Sequence, residues 1–403
     1  MNKSTPRIPD TDEIHSLKSL FERELFENII PFWETHSPDD ENGGYFNCLD
    51  REGKVYDTTK HVWLQARQVW MFSKFYNEVE QKSSWFNIAK SGMNFLRNHA
   101  VRDDGRLYFS VSKTGSPVWI QRKIFSECFY IIALSEFGKA SERTDLQKEA
   151  RQLFERVWYW SKDLSRVDRP QLEGAPKTRS LAIPMILLNV IDELTDSSNE
   201  TFRTEINECI NRMLLHLHRD KQTVFETVGI NGEYINSSEG RLLNPGHAIE
   251  AGWFLHRWSD LLIDKELQTT AVQMIRWAHD RGWDNTHGGI FYFLDYEGYS
   301  PTQLEWFMKL WWPHNEAMIG HLYNFIVTRD IEDWNRFKQV QEYAFSHFSD
   351  PEYGGWFGYL NREGEVTHKF KGAPYKGFFH VPRSLWICIK LLNKLETELD
   401  KKE

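Results

Sequence analysis

Two short segments place a histidine three residues before a charged side chain at what reads as a helix start. His247 precedes Glu250 in NPGHAIEAGWFL, and His380 precedes Arg383 in KGFFHVPRSLW. Residues i and i+3 are neighbours on a helix surface, so each imidazole has a charged partner within reach. An imidazole titrates near neutrality and is also a metal ligand. A lone His-x-x-Glu does not define a metal centre, and the arginines beside it oppose a cation, so no metal is expected. A third segment, WLQARQVW, sets Arg67 on one helix face with Trp63 and Trp70; stacking as a structural cation and service in a site are both open to it. KLWWPHNEA puts Trp312 and Glu316 on one face and His314 off it. His314 reads as a capping or solvated residue, and Glu316 is open to a reading as an anion of the first helical turns. Glu127, in SECFY, opens a further helix of the same kind. Glu127 and Glu316 together would also supply the carboxylate pair of a glycoside hydrolase.

These residues meet only if the helices that carry them converge, and an internal repeat says how. GGYFNCLDREG from Gly43, GGIFYFLDYEG from Gly288 and GGWFGYLNREG from Gly354 are nearly one sequence. Alternating apolar residues before a Gly-containing turn read as a short β-hairpin. DGRLYFSVSKTG from Asp104 and TVFETVGINGEY from Thr223 are weaker copies. Taking Gly44, Gly105, Val224, Gly289 and Gly355 as markers, the steps are 61, 119, 65 and 66 residues. The long step holds two repeats, one of which has lost its hairpin near Asp163–Pro176. The 403 residues therefore contain about six units.

Each marker is followed by an apolar, aromatic helix such as FSECFYIIALSEF and then a more charged one such as IEDWNRFKQVQEYAF. An inner helix and an amphipathic outer one, six times over, make a closed ring of helical hairpins. A helix over Asp12–His36 and one over His380–Leu395 close it. The expected fold is all-α, an (α/α)6 barrel of about twelve helices with short β-hairpins in the loops of one rim, formed by residues 1–403 as one domain. The inner-helix starts, and with them His247, His380, Arg67 and the carboxylates, then face one cavity.

Composition excludes several functions. A net charge of −9 argues against a nucleic-acid partner, and the most apolar stretch, IPMILLNVI, is far short of a membrane span. The start MNKSTPRIPDTDEIHS has no apolar leader region and four scattered cysteines form no CxxC pair, so a cytoplasmic protein is expected. Aromatic residues reach 15%, with 17 tryptophans. Such flat faces suit sugar rings, although helix packing accounts for most single tryptophans; Trp63 and Trp311 are the expected stacking surfaces.

The segments Trp63–Trp70, Asn244–Leu255, Lys309–Ala317 and Lys376–Trp386 together resemble the N-acylglucosamine 2-epimerase (renin-binding protein) family, over about Leu20–Leu395. The resemblance implies an (α/α)6 barrel that interconverts N-acetyl-D-glucosamine and N-acetyl-D-mannosamine. It implies that His247 and His380 work on opposite faces of C2 of the ring-opened sugar, one removing the proton and one returning it. Arg67 would hold the C1 oxygen as it gains negative charge. Glu316 and Glu250 would orient the bases or the hydroxyls, Arg383 would steady His380 or the substrate, and Trp63, Trp311 and Glu127 would complete the binding surface. Cellobiose 2-epimerases and aldose–ketose isomerases are similar but place a further histidine on the third inner helix. Here that helix reads LAIPMILLNV. Met185 there suits an acetyl methyl, with core packing as the alternative. No cofactor is required by this chemistry. Family members are often activated by ATP that they do not consume, although no GxxxxGK[ST] loop is present. A small amino sugar is the expected partner and a homodimer the expected assembly. A non-catalytic sugar- or partner-binding protein is the reading from another class; paired bases argue against it.

Overall fold

The computed structural model describes residues 8–167, 172–195 and 201–400. Six inner helices form a ring: Val62–Glu78, Phe125–Ala140, Ala182–Leu194, Pro245–Leu262, Trp311–Thr328 and His380–Asp400. Around them lie outer helices Ser83–His99, Thr144–Ser161, Arg203–Leu214, Lys265–Gly282 and Ile331–Phe348, and the N-terminal helix packs on His380–Asp400 as the sixth. The division follows from the sequence pattern. Trp311–Thr328 is buried on nearly every side, whereas Ile331–Phe348 buries a single stripe that includes Trp334, Phe337, Val340, Ala344 and Phe348. A helix apolar all round can only sit inside, and one with a single stripe can only cover it. The ring closes between its last and first inner helices, where Phe378 stacks on Phe72 at 4.7 Å and Phe379 packs on Trp70 at 5.5 Å.

The N-terminal helix differs from the expected straight rod. Thr11–Arg23 and Ile30–His36 are joined by a π-helical stretch, Glu24–Ile29, in which the Ile30 N–H bonds to Leu25 O. Pro31 has no N–H to continue the ordinary ladder, and a wider turn before it relieves the mismatch.

Short strands knit the rim by one rule. The two or three residues before an inner helix pair with the hairpin that precedes the next inner helix. Lys60–His61 pairs with Ser110–Val111, Thr178–Ser180 with Thr227–Gly229, Leu242–Leu243 with Leu294–Asp295, and Lys309–Leu310 with Tyr359–Leu360. In the region expected to lack a hairpin, Leu164–Val167 forms a 3-10 turn and residues 168–171 lie outside those described; among the described residues no strand occurs there before Thr178.

Three hairpins carry the same kind of lock, a buried lysine held by an aspartate and a glycine carbonyl of the turn. Lys60 donates to Asp39 at 2.7 Å and to Gly43 O, Lys309 to Asp284 at 3.0 Å and to Gly289 O, and Lys371 to Asp350 at 2.8 Å and to Gly354 O. All three lysines are 0% exposed. Breaking a buried pair by removing one partner costs about 3–5 kcal/mol, because the remaining charge is stranded. The glycines are required by the turn itself: Gly44 has φ +70°, and a Cβ there would meet Gln65 Oε1 at 2.7 Å. Neighbouring hairpins are tied in turn, Arg51 to Asp350 at 2.7 Å and Arg362 to Asp284 at 3.0 Å. This scaffold fixes the strands from which the inner helices start.

Candidate active site

The inner-helix starts open into a cavity of about 740 Å³. His247 is placed by its helix cap: Asn244 Oδ1 accepts from the His247 N–H at 3.1 Å, and Pro245 occupies the first turn, where a missing N–H costs nothing. Gly246 between them leaves room for the Trp312 ring, 2.6 Å from where a Cβ would stand. Trp312 packs against both imidazoles, its ring centre 5.2 Å from His247 and 5.9 Å from His380.

Each imidazole is tethered through Nδ1. His247 Nδ1 lies 2.9 Å from Glu226 Oε2, and His380 Nδ1 lies 2.8 Å from Glu316 Oε1. An ionised carboxylate only accepts, so the Nδ1 proton is donated and Nε2 is left as the acid–base atom of both rings. The two tethers differ in what else they serve. Glu316 is fully buried, and the same Oε1 accepts from Arg383 Nη2 at 2.6 Å while Oε2 accepts from Trp253 Nε1 at 2.9 Å. Arg383 Nη2 also donates to Glu250 Oε1 at 2.8 Å.

The electrostatic outcome is opposite at the two rings. Burial, then Arg383 and Arg67, hold His380 well below the usual histidine range. Burial would depress His247 as well, but the charge and hydrogen bond of Glu226 outweigh it and raise the pKa. At neutral pH His380 is therefore a neutral base, and His247 holds a proton more readily than His380 does. Arg67 lies between three aromatic rings, 4.0 Å from the centre of Phe129, 4.7 Å from Trp63 and 4.8 Å from Phe379. Burial and Arg383 lower its pKa to about 9, which leaves it charged. Among the described residues no carboxylate pairs with it, and its buried Nε has no partner.

Of the residues expected from sequence, His247, His380, Arg67, Glu250, Arg383, Trp63 and Trp311 line the cavity. Glu316 stands behind His380 and Arg383 and does not line it. Glu127 is a correction: it is fully buried and held by Arg106 at 2.6 Å and by the Leu107 N–H, both from the preceding hairpin, so it has no access to the cavity. The hydrolase pair Glu127–Glu316 therefore does not exist as a pair facing substrate. His314 is a second correction, being neither a cap nor solvated. Its ring is buried, donates from Nδ1 to Leu310 O at 2.6 Å and accepts the Ile290 N–H at Nε2, and burial lowers its pKa to about 3. Glu250, Glu316 and His380 have a metal-like spacing, but Arg383 occupies the space between the two carboxylates. Sequence reasoning missed Glu226 altogether, and it read Trp312 only as a face-mate of Glu316; the Gly before His247 was the one available sign that a large ring packs there.

The architecture matches solved sugar-converting barrels. A cellobiose 2-epimerase from Spirochaeta thermophila DSM 6192 superposes with a TM-score of 0.80 at 19% identity, covering 95% of this chain and 98% of that one. Fold and cavity together define an (α/α)6 barrel. The sequence model of the N-acylglucosamine 2-epimerase family matches residues 44–383. The N-acylglucosamine 2-epimerase of Bos taurus is 43% identical over 97% of this chain and 94% of its own length, and that of Homo sapiens 43% over 98% and 95%. The chain belongs to the N-acylglucosamine 2-epimerase family and is an isomerase of the carbohydrate epimerase kind.

Proposed function

We infer that the protein interconverts N-acetyl-D-glucosamine and N-acetyl-D-mannosamine by moving the proton on C2. The observation that carries this reading is the pair of Nδ1-tethered histidines packed on Trp312, their pKa values shifted in opposite directions, beside an unpaired guanidinium. C2 of the ring-opened sugar is α to the aldehyde, so its proton leaves once the enolate oxygen is stabilised. Neutral His380 Nε2 accepts that proton. Arg67, already desolvated and unpaired, receives the charge that gathers on the C1 oxygen. Protonated His247 returns a proton to the other face, and the configuration inverts. In the reverse direction the two rings exchange roles, and the same pair serves ring opening. Glu226 and Glu316 are positioning residues, Arg383 and Glu250 align His380 and hydroxyls, and Trp63 and Trp311 support the ring.

The proton transfer needs no resident cofactor, since base, acid and oxyanion partner are all side chains. ATP enters this reading as an activator that is not consumed. The chain would act as one catalytic domain in a cytoplasmic homodimer, in amino-sugar salvage or sialic-acid catabolism. No helix among the described residues is long and apolar enough to cross a membrane.

Proton NMR with N-acetyl-D-glucosamine in D2O, with and without ATP, tests this. Growth of N-acetyl-D-mannosamine signals carrying deuterium at C2 is the expected result. Neither exchange nor product in either arm, beside a working control enzyme, would overturn it and turn attention to unsubstituted sugars and then to a binding role.

A further inference from the structure

The cavity is chemically lopsided. On the inner helices its hydrogen-bonding groups cluster on the fourth, sixth and first, as His247, Glu250, His380, Arg383 and Arg67. The rim loops add Lys123, Tyr292, Glu305, Tyr359, His368 and Tyr375. The arc formed by the second and third inner helices is apolar: Phe125, Phe129, Met185 and Ile186 face the space, joined by Phe254 from the fourth. On these two helices one polar group interrupts it, with Lys123 lining the cavity just before the second inner helix. Asn189 lies one turn beyond Met185 on the same face of Ala182–Leu194, lines the cavity half-buried, and makes no side-chain hydrogen bond among the described residues.

A hexose pressed against this arc by its hydroxyls would lose water with almost nothing to replace it, a costly burial of polar groups. An acylamino substituent has the complementary pattern: an apolar alkyl end and one amide. A carboxamide side chain can both donate to the amide oxygen and accept from its N–H. The substituent sits on C2, the carbon whose proton moves, so its pocket must lie next to the histidines. The third inner helix is the ring neighbour of the helix that carries His247.

We propose that the Met185–Asn189 face of the third inner helix is the acyl-recognition pocket, in which Met185, Ile186, Phe129 and Phe254 enclose the alkyl end and the Asn189 carboxamide bonds the amide. This rests on the epimerase reading above and makes the 2-acylamino group, rather than the hydroxyls, the feature that selects substrate. The wall sets acyl length, because a side chain that meets the alkyl end is also the one that limits it.

The test is a substrate profile. Wild type, Met185→Ala, Ile186→Ala and Asn189→Ala, with melting curves recorded for each, are assayed by NMR on N-acetyl-, N-propionyl- and N-butanoyl-D-glucosamine. Met185→Ala or Ile186→Ala is expected to raise the kcat/KM ratio of the butanoyl to the acetyl sugar by about tenfold, the scale of a methylene or two in a hydrophobic pocket. Asn189→Ala is expected to raise KM for all three sugars by about tenfold, with the smaller effect on kcat. Either alanine on the apolar wall suffices if the other does not fold. A folded wall variant whose chain-length ratio stays within twofold of wild type overturns the proposal while leaving the epimerase reading intact. A wild type inactive on every N-acyl sugar, with a control enzyme working, overturns both.

Discussion

His247 and His380 have the same local design, an imidazole tied through Nδ1 to a glutamate, and opposite electrostatic fates. Glu226 serves His247 alone, and that side chain is 27% exposed. Glu316 divides its charge between His380, Arg383 and Trp253, and the His380 side chain is 12% exposed. A carboxylate favours the imidazolium only to the extent that its charge is not already used by another cation. Burial is the first cause that keeps His380 neutral; Arg383 and then Arg67 add to it by opposing a second positive charge beside them.

Removing either ring should break the comparison outright. His247→Ala and His380→Ala are each expected to lose about 10²–10⁴ in turnover while still binding sugar. In D2O each single variant should retain C2 exchange with one epimer only, and with opposite epimers for the two variants. Exchange of both epimers by either variant would show that one histidine works alone.

Next in size is Glu316→Gln, which leaves Arg383 and Glu250 paired but removes the charge that orients His380. A loss of about 10²-fold in kcat is expected, with KM less affected. Equal change in both would mean that Glu316 only supports binding.

Glu226→Gln should act chiefly through pH. Glu226 raises the His247 pKa, so its removal lets burial dominate and the pKa falls. For the epimer that His380 deprotonates, activity declines as pH rises and His247 loses its proton. That decline should move to lower pH in the variant, read from kcat/KM against pH. An unmoved alkaline limb would separate Glu226 from His247.

The smallest kinetic effect belongs to Glu127→Gln, outside both walls. Its bonds to Arg106 and Leu107 are structural, so stability should fall by about 1–3 kcal/mol with turnover within roughly threefold of wild type. A large loss of kcat at unchanged folding would restore Glu127 to the site.

What was legible in the sequence was local. The glycine pairs of the hairpins mark positive-φ turns, Asn244 and Pro245 mark a helix start, and their regular return gave the six units. The histidines followed from those starts. Glu226 left no trace because it stands 21 positions before His247, across a strand and turn with no periodicity linking them. Glu127 misled for the converse reason: its place in the first turn of an inner helix matches that of true cavity residues, and only the fold shows Arg106 reaching it first. The buried lysines were equally invisible, since each pairs with an aspartate from the far end of its loop.

Those lysines have one more consequence. The spacing from aspartate to lysine is 21 residues in the first and sixth units and 25 in the fifth. The first and sixth segments are therefore equal in length between their two anchors. The longer fifth segment contributes Glu305 and Met308 to the cavity lining. These segments are part of the ring they cap: Tyr45 and Leu49 of the first are fully buried in the core, and Gln65 of the first inner helix bonds both the Tyr45 N–H and its carbonyl, so any exchange at aspartate and lysine has to carry those residues with it.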